Sequence, residues 1–507
     1  MLIMPFSFLK KYSYYITVIL FISFAPYFIF YNHNFEQITF NQTMQPLMFL
    51  SLLVLLMFII LYFLINIFPK YYKLIFATSI ILLIFIINFD YIYLNLIKKK
   101  LLFTNNYFNP KLIFLFICLL SVYIFLNLLK INFLKIFFLF YSIFILVTPA
   151  LELCLKSINN SEPDIQNKPK GEDFLLESKE VINNKSILKE NVYFILLDGY
   201  ASKKTFVRMS LNNDNFYKYL KKSNFKNLGD NSAYNMTYLS LASIFNLSYP
   251  VVEGDVYNSR TSFYPFLLSN NNAPPLIEEL GNLQYEFIFY GNSFSGCKMI
   301  HGKCGNPSKD FITYESSIFF SKTALKRYFN SYQYDAMSSF LKKNSRIKTR
   351  DSKFHFFHHL SPHPPYLQND CRSIKSNSDW EPIDYLFTVN CVNLLVMELI
   401  SYLDKNDPSA IIIIQSDHGP STKSHPLKSK DFIEGDNIID RASIINVIRS
   451  PKKCDKWLKN NLGPINATKF ILGCLKQEEP IYLEEKTFIA YDENNEDFGT
   501  VRIYNPY

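Results

Sequence analysis

Five long apolar runs crowd the first 155 residues, and they constrain this chain more than any other feature. They lie near Tyr14–Phe30, Pro46–Phe68, Leu74–Tyr93, Lys111–Leu129 and Phe133–Leu153. Each has about the ~20 residues that a helix needs to cross ~30 Å of hydrocarbon. A water-soluble bundle built from five such helices would have no polar face left for solvent, so residues 1–155 read as a multi-pass membrane anchor. The first run is too long, and too closely followed by others, for a cleaved signal peptide. Over 507 residues the hydrophobic share is 49% and the charged share 19%. That average hides the division, because the second part of the chain has a different texture.

Lysine placement sets the topology. Lys10 and Lys11 precede the first run, Lys70 and Lys73 separate the second from the third, and Lys130 and Lys135 separate the fourth from the fifth. These mark the cytoplasmic side. Lys98, Lys99 and Lys100 oppose that scheme, with Asp90 as a partial compensation. An odd number of spans and an inside N-terminus put everything after Leu153 outside. The cysteines agree. Outside the membrane region stand Cys297/Cys304, Cys371/Cys391 and Cys454/Cys474, whose simplest pairing is three sequence-local disulfides. No CxxC spacing points to a zinc cluster. The net charge of +9 is spread among scattered lysines without a nucleic-acid motif, so no nucleic-acid partner is expected.

Residues 156–190 are polar and lack a sustained apolar period, as befits a linker. From Asn191 short, wholly apolar runs appear (VYFILLDGY, YEFIFYGN, AIIIIQSDHG), separated by helix-length amphipathic segments. Runs of this kind suit strands covered on both faces, hence a mostly parallel α/β sheet over 191–507. Ligands bind such sheets off the carboxyl ends of the strands. Two of the runs end there in acidic residues, Asp198 and Asp417, and His418 comes directly after the second. Alone, Asp198 reads equally as a turn residue, and an Asp-His-Gly tripeptide equally as structural. Together they offer oxygen and nitrogen ligands to a divalent cation.

Two further segments carry chemistry. In NSAYNMTYLSLASIFNLSYP, Thr237 heads a small-residue helix with Ser240 and Ser243 at helical spacing. A hydroxyl there becomes a competent nucleophile only if a cation and a helix N-terminus favour its alkoxide; otherwise it caps a helix. In FHFFHHLSPHPPYL, His355 and His359 would share a face only in a helix, whereas Pro362, Pro364 and Pro365 point to a strand entering a rigid loop that presents His363.

Strand-Asp, Thr-headed helix, His-Pro-Pro-Tyr and strand-Asp-His-Gly, in that order, resemble the alkaline phosphatase/sulfatase superfamily. With a membrane anchor in front, the chain is most similar to bacterial envelope phosphotransferases: lipoteichoic-acid-synthase-like phosphoglycerol transferases and phosphoethanolamine transferases. The resemblance extends from about Asn191 to Leu475 and includes DRASIINVI and PINATKFIL as a late strand and the helix after it. It implies a multi-pass α-helical membrane domain followed by an alkaline-phosphatase-like (sulfatase-like) α/β domain. It implies one divalent metal ion held by Asp198, Thr237, Asp417 and His418, with Zn²⁺ or Mn²⁺ ahead of Mg²⁺ or Ca²⁺. Thr237 would be the nucleophile and His363 a catalytic group, with His363 and His359 toward substrate. The partners implied are a phospholipid headgroup donor, an envelope glycan or lipid acceptor, and the bacterial inner (plasma) membrane, with the catalytic domain periplasmic or otherwise extracytoplasmic. Two departures matter. The first acidic ligand is often Glu in the lipid-linked transferases and is Asp here, and no Cys-x-Pro-x-Arg is present, so a formylglycine sulfatase is not implied. A phosphodiesterase, phosphatase or other sulfatase-like hydrolase using the same residues, and a non-catalytic assembly factor on a relict fold, are the alternatives.

Overall fold

Because a strand alternates its side chains, a run such as VYFILL can be wholly apolar only if both sheet faces are covered. The computed structural model shows that arrangement. It describes residues 6–33, 40–87, 132–158, 187–257, 273–291, 302–305, 319–320, 323, 336–343, 349–364, 366–371, 382–420, 436–492 and 499–504. The chain divides into two units, residues 1–163 with 309–331, and residues 164–308 with 332–507.

In the first unit the described helices are α1 (Phe6–Lys11), α2 (Ser13–His33), α3 (Phe40–Ile67), α4 (Tyr72–Ile87) and α5 (Asn132–Ile158). Ser13–Asn32 and Met44–Ile67 are long and apolar enough to cross a membrane. Leu52, Leu55, Leu56, Ile60 and Ile67 of α3 are exposed, which water would penalise and lipid would not. Inside, Tyr15 stacks on Phe76 with ring centroids 4.6 Å apart. Phe319 and Phe320 pack into a second cluster with Tyr27, Leu50 and Val54. The apolar run Lys111–Leu129, the Lys98–Lys100 loop, the polar linker up to residue 186 and the Cys297/Cys304 pairing lie outside the described residues.

The second unit is built on a seven-stranded sheet. Its strands are β1 (Val192–Leu197), β2 (Lys226–Asn227), β4 (Glu286–Tyr290), β5 (Lys303–Cys304), β6 (Lys353–His359), β7 (Ile411–Ser416) and β8 (Asn446–Arg449). They stand in the order β2-β8-β7-β1-β6-β4-β5. β1 pairs parallel with β6 and β7, and β4 parallel with β6 and β5; β8 runs antiparallel to β7, and β2 to β8. A three-stranded sheet adds β3 (Val256–Tyr257), β10 (Gly499–Ile503) and β9 (Phe488–Asp492).

One face of the large sheet, with Val192, Phe194 and Leu196 of β1, meets α8 (Thr237–Asn246), α9 (Pro275–Asn282) and α13 (Pro464–Lys476). The other face, with Tyr193, Ile195 and Leu197, meets α6 (Lys203–Arg208), α7 (Asp214–Lys222), α10 (Ala336–Lys343) and α11 (Pro382–Asn406). The remaining described α-helix is α12 (Asp436–Ala442). This is a three-layer α/β domain with a mostly parallel sheet. α11 also has the length and composition of a membrane span, yet Tyr385, Val389, Val392, Val396 and Leu399 are core residues of this domain. Disulfides join Cys371 to Cys391 and Cys454 to Cys474.

Candidate metal centre

The parallel register brings the carboxyl ends of β1, β6 and β7 side by side, and each continues into a loop that carries titratable groups. After β1, Asp198 donates its N–H to the His359 carbonyl at the end of β6 (2.9 Å). Gly199 comes next at φ +73°, the left-handed region that a side chain would resist. The Tyr385 hydroxyl accepts from Ala201 N–H (2.8 Å) and donates to the Gly199 carbonyl (3.0 Å), so α11 clamps this turn. After β7, Asp417 Oδ1 accepts from Gly199 N–H (3.1 Å) and His418 N–H (2.9 Å). A Cβ on Gly419 would collide with the Asp440 carbonyl, which accounts for the glycine after His418.

Asp198, Asp417 and His418 converge: each offers a ligand atom, and these atoms lie within 4.8 Å of one another. All three residues are buried. His418 Nδ1 is 2.9 Å from the Gly419 carbonyl, which only accepts, so the proton sits on Nδ1 and Nε2 presents a lone pair. That lone pair lies 3.3 Å from Asp417 Oδ2 and 3.5 Å from Asp198 Oδ1. Among the described residues neither of those buried carboxylate oxygens has a hydrogen-bond partner. The Nε2 lone pair meets the Thr237 hydroxyl and Arg441, but among the described residues no donor reaches the two carboxylate oxygens beside it, and a divalent cation satisfies such converging electron pairs. The residues present therefore fit a metal ion.

The protonation states suit the same role. Burial pushes His418 down to about 4, with Arg441 adding to the effect and Asp417 and Asp198 opposing it, so the imidazole is neutral at pH 7. Burial alone would raise Asp198, but His363, His358 and His418 around it outweigh that and hold it well below the usual carboxylate range.

Thr237 is the first residue of α8, half-buried, with Oγ1 2.9 Å from His418 Nε2. Ser240, one turn on, is buried and donates to the carbonyl of Asp417 at 2.8 Å, joining α8 to the loop after β7. The chain leaves β6 as a strand into a loop, the reading the prolines favoured, with a cis Ser361–Pro362 bond, and places His363 exposed, its ring centroid 6.4 Å from that of His418. His363 Nδ1 is 2.8 Å from the Pro364 carbonyl, which leaves Nε2 as its second functional nitrogen. His359 is buried at the strand end, and His355 lies deeper in the strand, 3.0 Å from the Tyr290 hydroxyl.

Three participants escape a reading of the sequence. His358 Nε2 lies 3.6 Å from Asp198 Oδ2. Arg441, buried at the end of α12, places Nη2 3.1 Å from His418 Nε2. Tyr385 clamps the turn after Asp198. Only Arg441 left a trace in the sequence: a charged residue directly ahead of the apolar run of DRASIINVI.

Among known families, the model described as Sulfatase matches residues 190–442. Solved structures similar to the chain include the C-terminal periplasmic domain of EcEptC from Escherichia coli. It has 10% identity and a TM-score of 0.39, covering 64% of this chain and 95% of that one. The phosphonate monoester hydrolase SpPMH from Silicibacter pomeroyi has 12% identity and a TM-score of 0.39, covering 60% and 80%. The lipoteichoic acid synthase LtaP from Listeria monocytogenes has 13% identity and a TM-score of 0.36, covering 61% and 82%. No curated protein matches the chain.

Proposed function

With residues 190–442 a domain of the sulfatase family, we propose that this chain is a membrane-anchored, metal-dependent phosphotransferase. It moves a phospho-headgroup, phosphoglycerol or phosphoethanolamine, from a phospholipid to an envelope glycan or lipid. The observation that carries this reading is the buried trio Asp198, Asp417 and His418, with two unpartnered carboxylate oxygens and the Thr237 hydroxyl beside them.

Asp198, Asp417, His418 and Thr237 would hold the ion, with Zn²⁺ or Mn²⁺ suited to one imidazole and several oxygens. When bound, it supplies charge neutralisation and favours loss of the hydroxyl proton. Thr237 Oγ attacks the phosphorus; the Oγ–P bond forms, the bond from phosphorus to the diacylglycerol oxygen breaks, and the headgroup phosphate remains on Thr237. The first-turn N–H groups of α8 face the negative charge gathered there. His363, in its protonated form, gives a proton to the departing alkoxide. It then takes one from the acceptor hydroxyl that attacks the phosphothreonine and restores Thr237. The absence of Cys-x-Pro-x-Arg supports a threonine rather than a formylglycine nucleophile. A lipid donor needs no nucleotide, which suits the extracytoplasmic side to which the lysine pattern and disulfides point.

The test is the intact mass of the detergent-solubilised chain, wild type and Thr237→Ala, after incubation with mixed bacterial phospholipids and Mn²⁺ or Zn²⁺. Wild type should gain a metal-dependent adduct whose mass names the headgroup. Thr237→Ala should gain none and lose turnover by at least about a thousandfold. Release of free headgroup phosphate with no acceptor product would identify a hydrolase instead. No adduct and no consumption of lipid would overturn the reading.

A further inference from the structure

We propose that Arg441 is the built-in counter-cation of this site: a positioning residue that holds the Thr237 and His418 segments together in the metal-free protein. It does so partly through the His418 Nε2 lone pair that a metal ion would take. The inference rests on the metal-binding reading above.

The guanidinium is buried. A buried positive charge persists only with compensation, yet among the described residues none of its N–H groups goes to a carboxylate. Nε donates to the Asn235 carbonyl (2.9 Å), Nη1 to the Gly419 carbonyl (3.1 Å) and Nη2 to His418 Nε2 (3.1 Å). The neighbouring acid, Asp440, is taken by Arg208 at 2.5 Å. The negative charge that balances Arg441 is therefore that of Asp198 and Asp417, each with one buried oxygen that no donor among the described residues reaches.

Its three acceptors span the site. Asn235 stands two residues before Thr237, and its side chain is pinned by Ala490, whose N–H donates to Oδ1 (2.8 Å) and whose carbonyl accepts from Nδ2 (3.2 Å). Gly419 returns the contact, its N–H donating to the Arg441 carbonyl at 2.8 Å. One side chain thus ties the nucleophile segment to the metal-ligand loop. Arg441 and a bound metal ion would repel and compete for Nε2, so the guanidinium matters most when the ion is absent.

The experiment is thermal unfolding of the full chain in detergent, stripped with EDTA and then with Mn²⁺ or Zn²⁺ restored, for wild type, Arg441→Gln and the double variant Asp198→Asn/Arg441→Gln. Arg441→Gln should lower the metal-free midpoint by about 5 °C or more. The restored ion should then raise that variant's midpoint further than it raises wild type's. Removing one carboxylate in the double variant should restore the metal-free midpoint. Equal losses with and without the ion, or no rescue by Asp198→Asn, would overturn the proposal and leave Arg441 an ordinary latch. If Arg441→Gln does not fold without metal, a folded double variant supports the proposal and an unfolded one overturns it. A wild type that neither Mn²⁺ nor Zn²⁺ shifts would sink the metal reading, while the metal-free comparison of the two variants still decides the role of Arg441.

Discussion

His355 stacks on Tyr193 with ring centroids 4.8 Å apart, inside the sheet and away from the metal ligands. Burial pushes its pKa down to about 3, with Lys353 adding to the effect and Asp351 opposing it. In the unfolded chain it titrates near ~6.5. Between those values the unfolded state binds the proton and the folded state refuses it, so stability present above pH ~6.5 is lost as pH falls toward ~3. His355→Gln should flatten this dependence, removing roughly 3 kcal/mol of the stability change between pH 7 and 4. Denaturation midpoints of the metal-stripped chain at the two pH values check it, and an unchanged slope would mean that the ring is protonated or reached by water. The candidate-site groups show the same logic in another use: environment, not residue type, makes Asp198 a persistent anion and His418 a neutral imidazole.

α11 is the element whose composition most misleads. It is 25 residues long and apolar enough for a bilayer, but many of its apolar residues serve the domain core. Leu399 has no exposed surface, while Leu394 on the opposite side is 61% exposed. Leu399→Ala should cost about 2–5 kcal/mol through lost burial and a residual cavity. Leu394→Ala should stay within about 0.5 kcal/mol of wild type. Denaturant titrations of the intact chain compare them, and similar losses would mean that the helix is packed all round. The same helix carries Tyr385, which clamps the turn after Asp198, and Cys391, bonded to Cys371 just beyond the His363 loop. It therefore acts on the site from outside it.

At the scale of the molecule, the lysines flanking the apolar runs predict a cytoplasmic N-terminus and an extracytoplasmic catalytic domain. A reporter that is active only outside the cytoplasm, fused after Tyr507, should be active, and one that fluoresces only inside should be dark. The reverse result would undo both the topology and the access to the lipid donor on which the proposed function depends. Among the described residues, the disulfides Cys371–Cys391 and Cys454–Cys474 agree with an oxidising compartment.

The sequence by itself determined the long apolar helices of the N-terminal region, the buried strands and the places where Asp198, Asp417 and His418 would emerge. Those features are written in local hydrophobic periodicity and in the polar residues that end each apolar run. It also marked Thr237 as a helix head and His363 as a loop residue, because proline and small-residue patterns act within a few positions. Only the tertiary structure decided that these segments meet. Strand order puts β1 between β6 and β7, and no local pattern encodes that pairing. The same reason hid His358, Tyr385 and Arg441: each acts on a residue far away in the chain, Arg441 on the Asn235 carbonyl across 206 positions. Interactions of that span exist only once the sheet has assembled, and so they leave little in the sequence but a residue type.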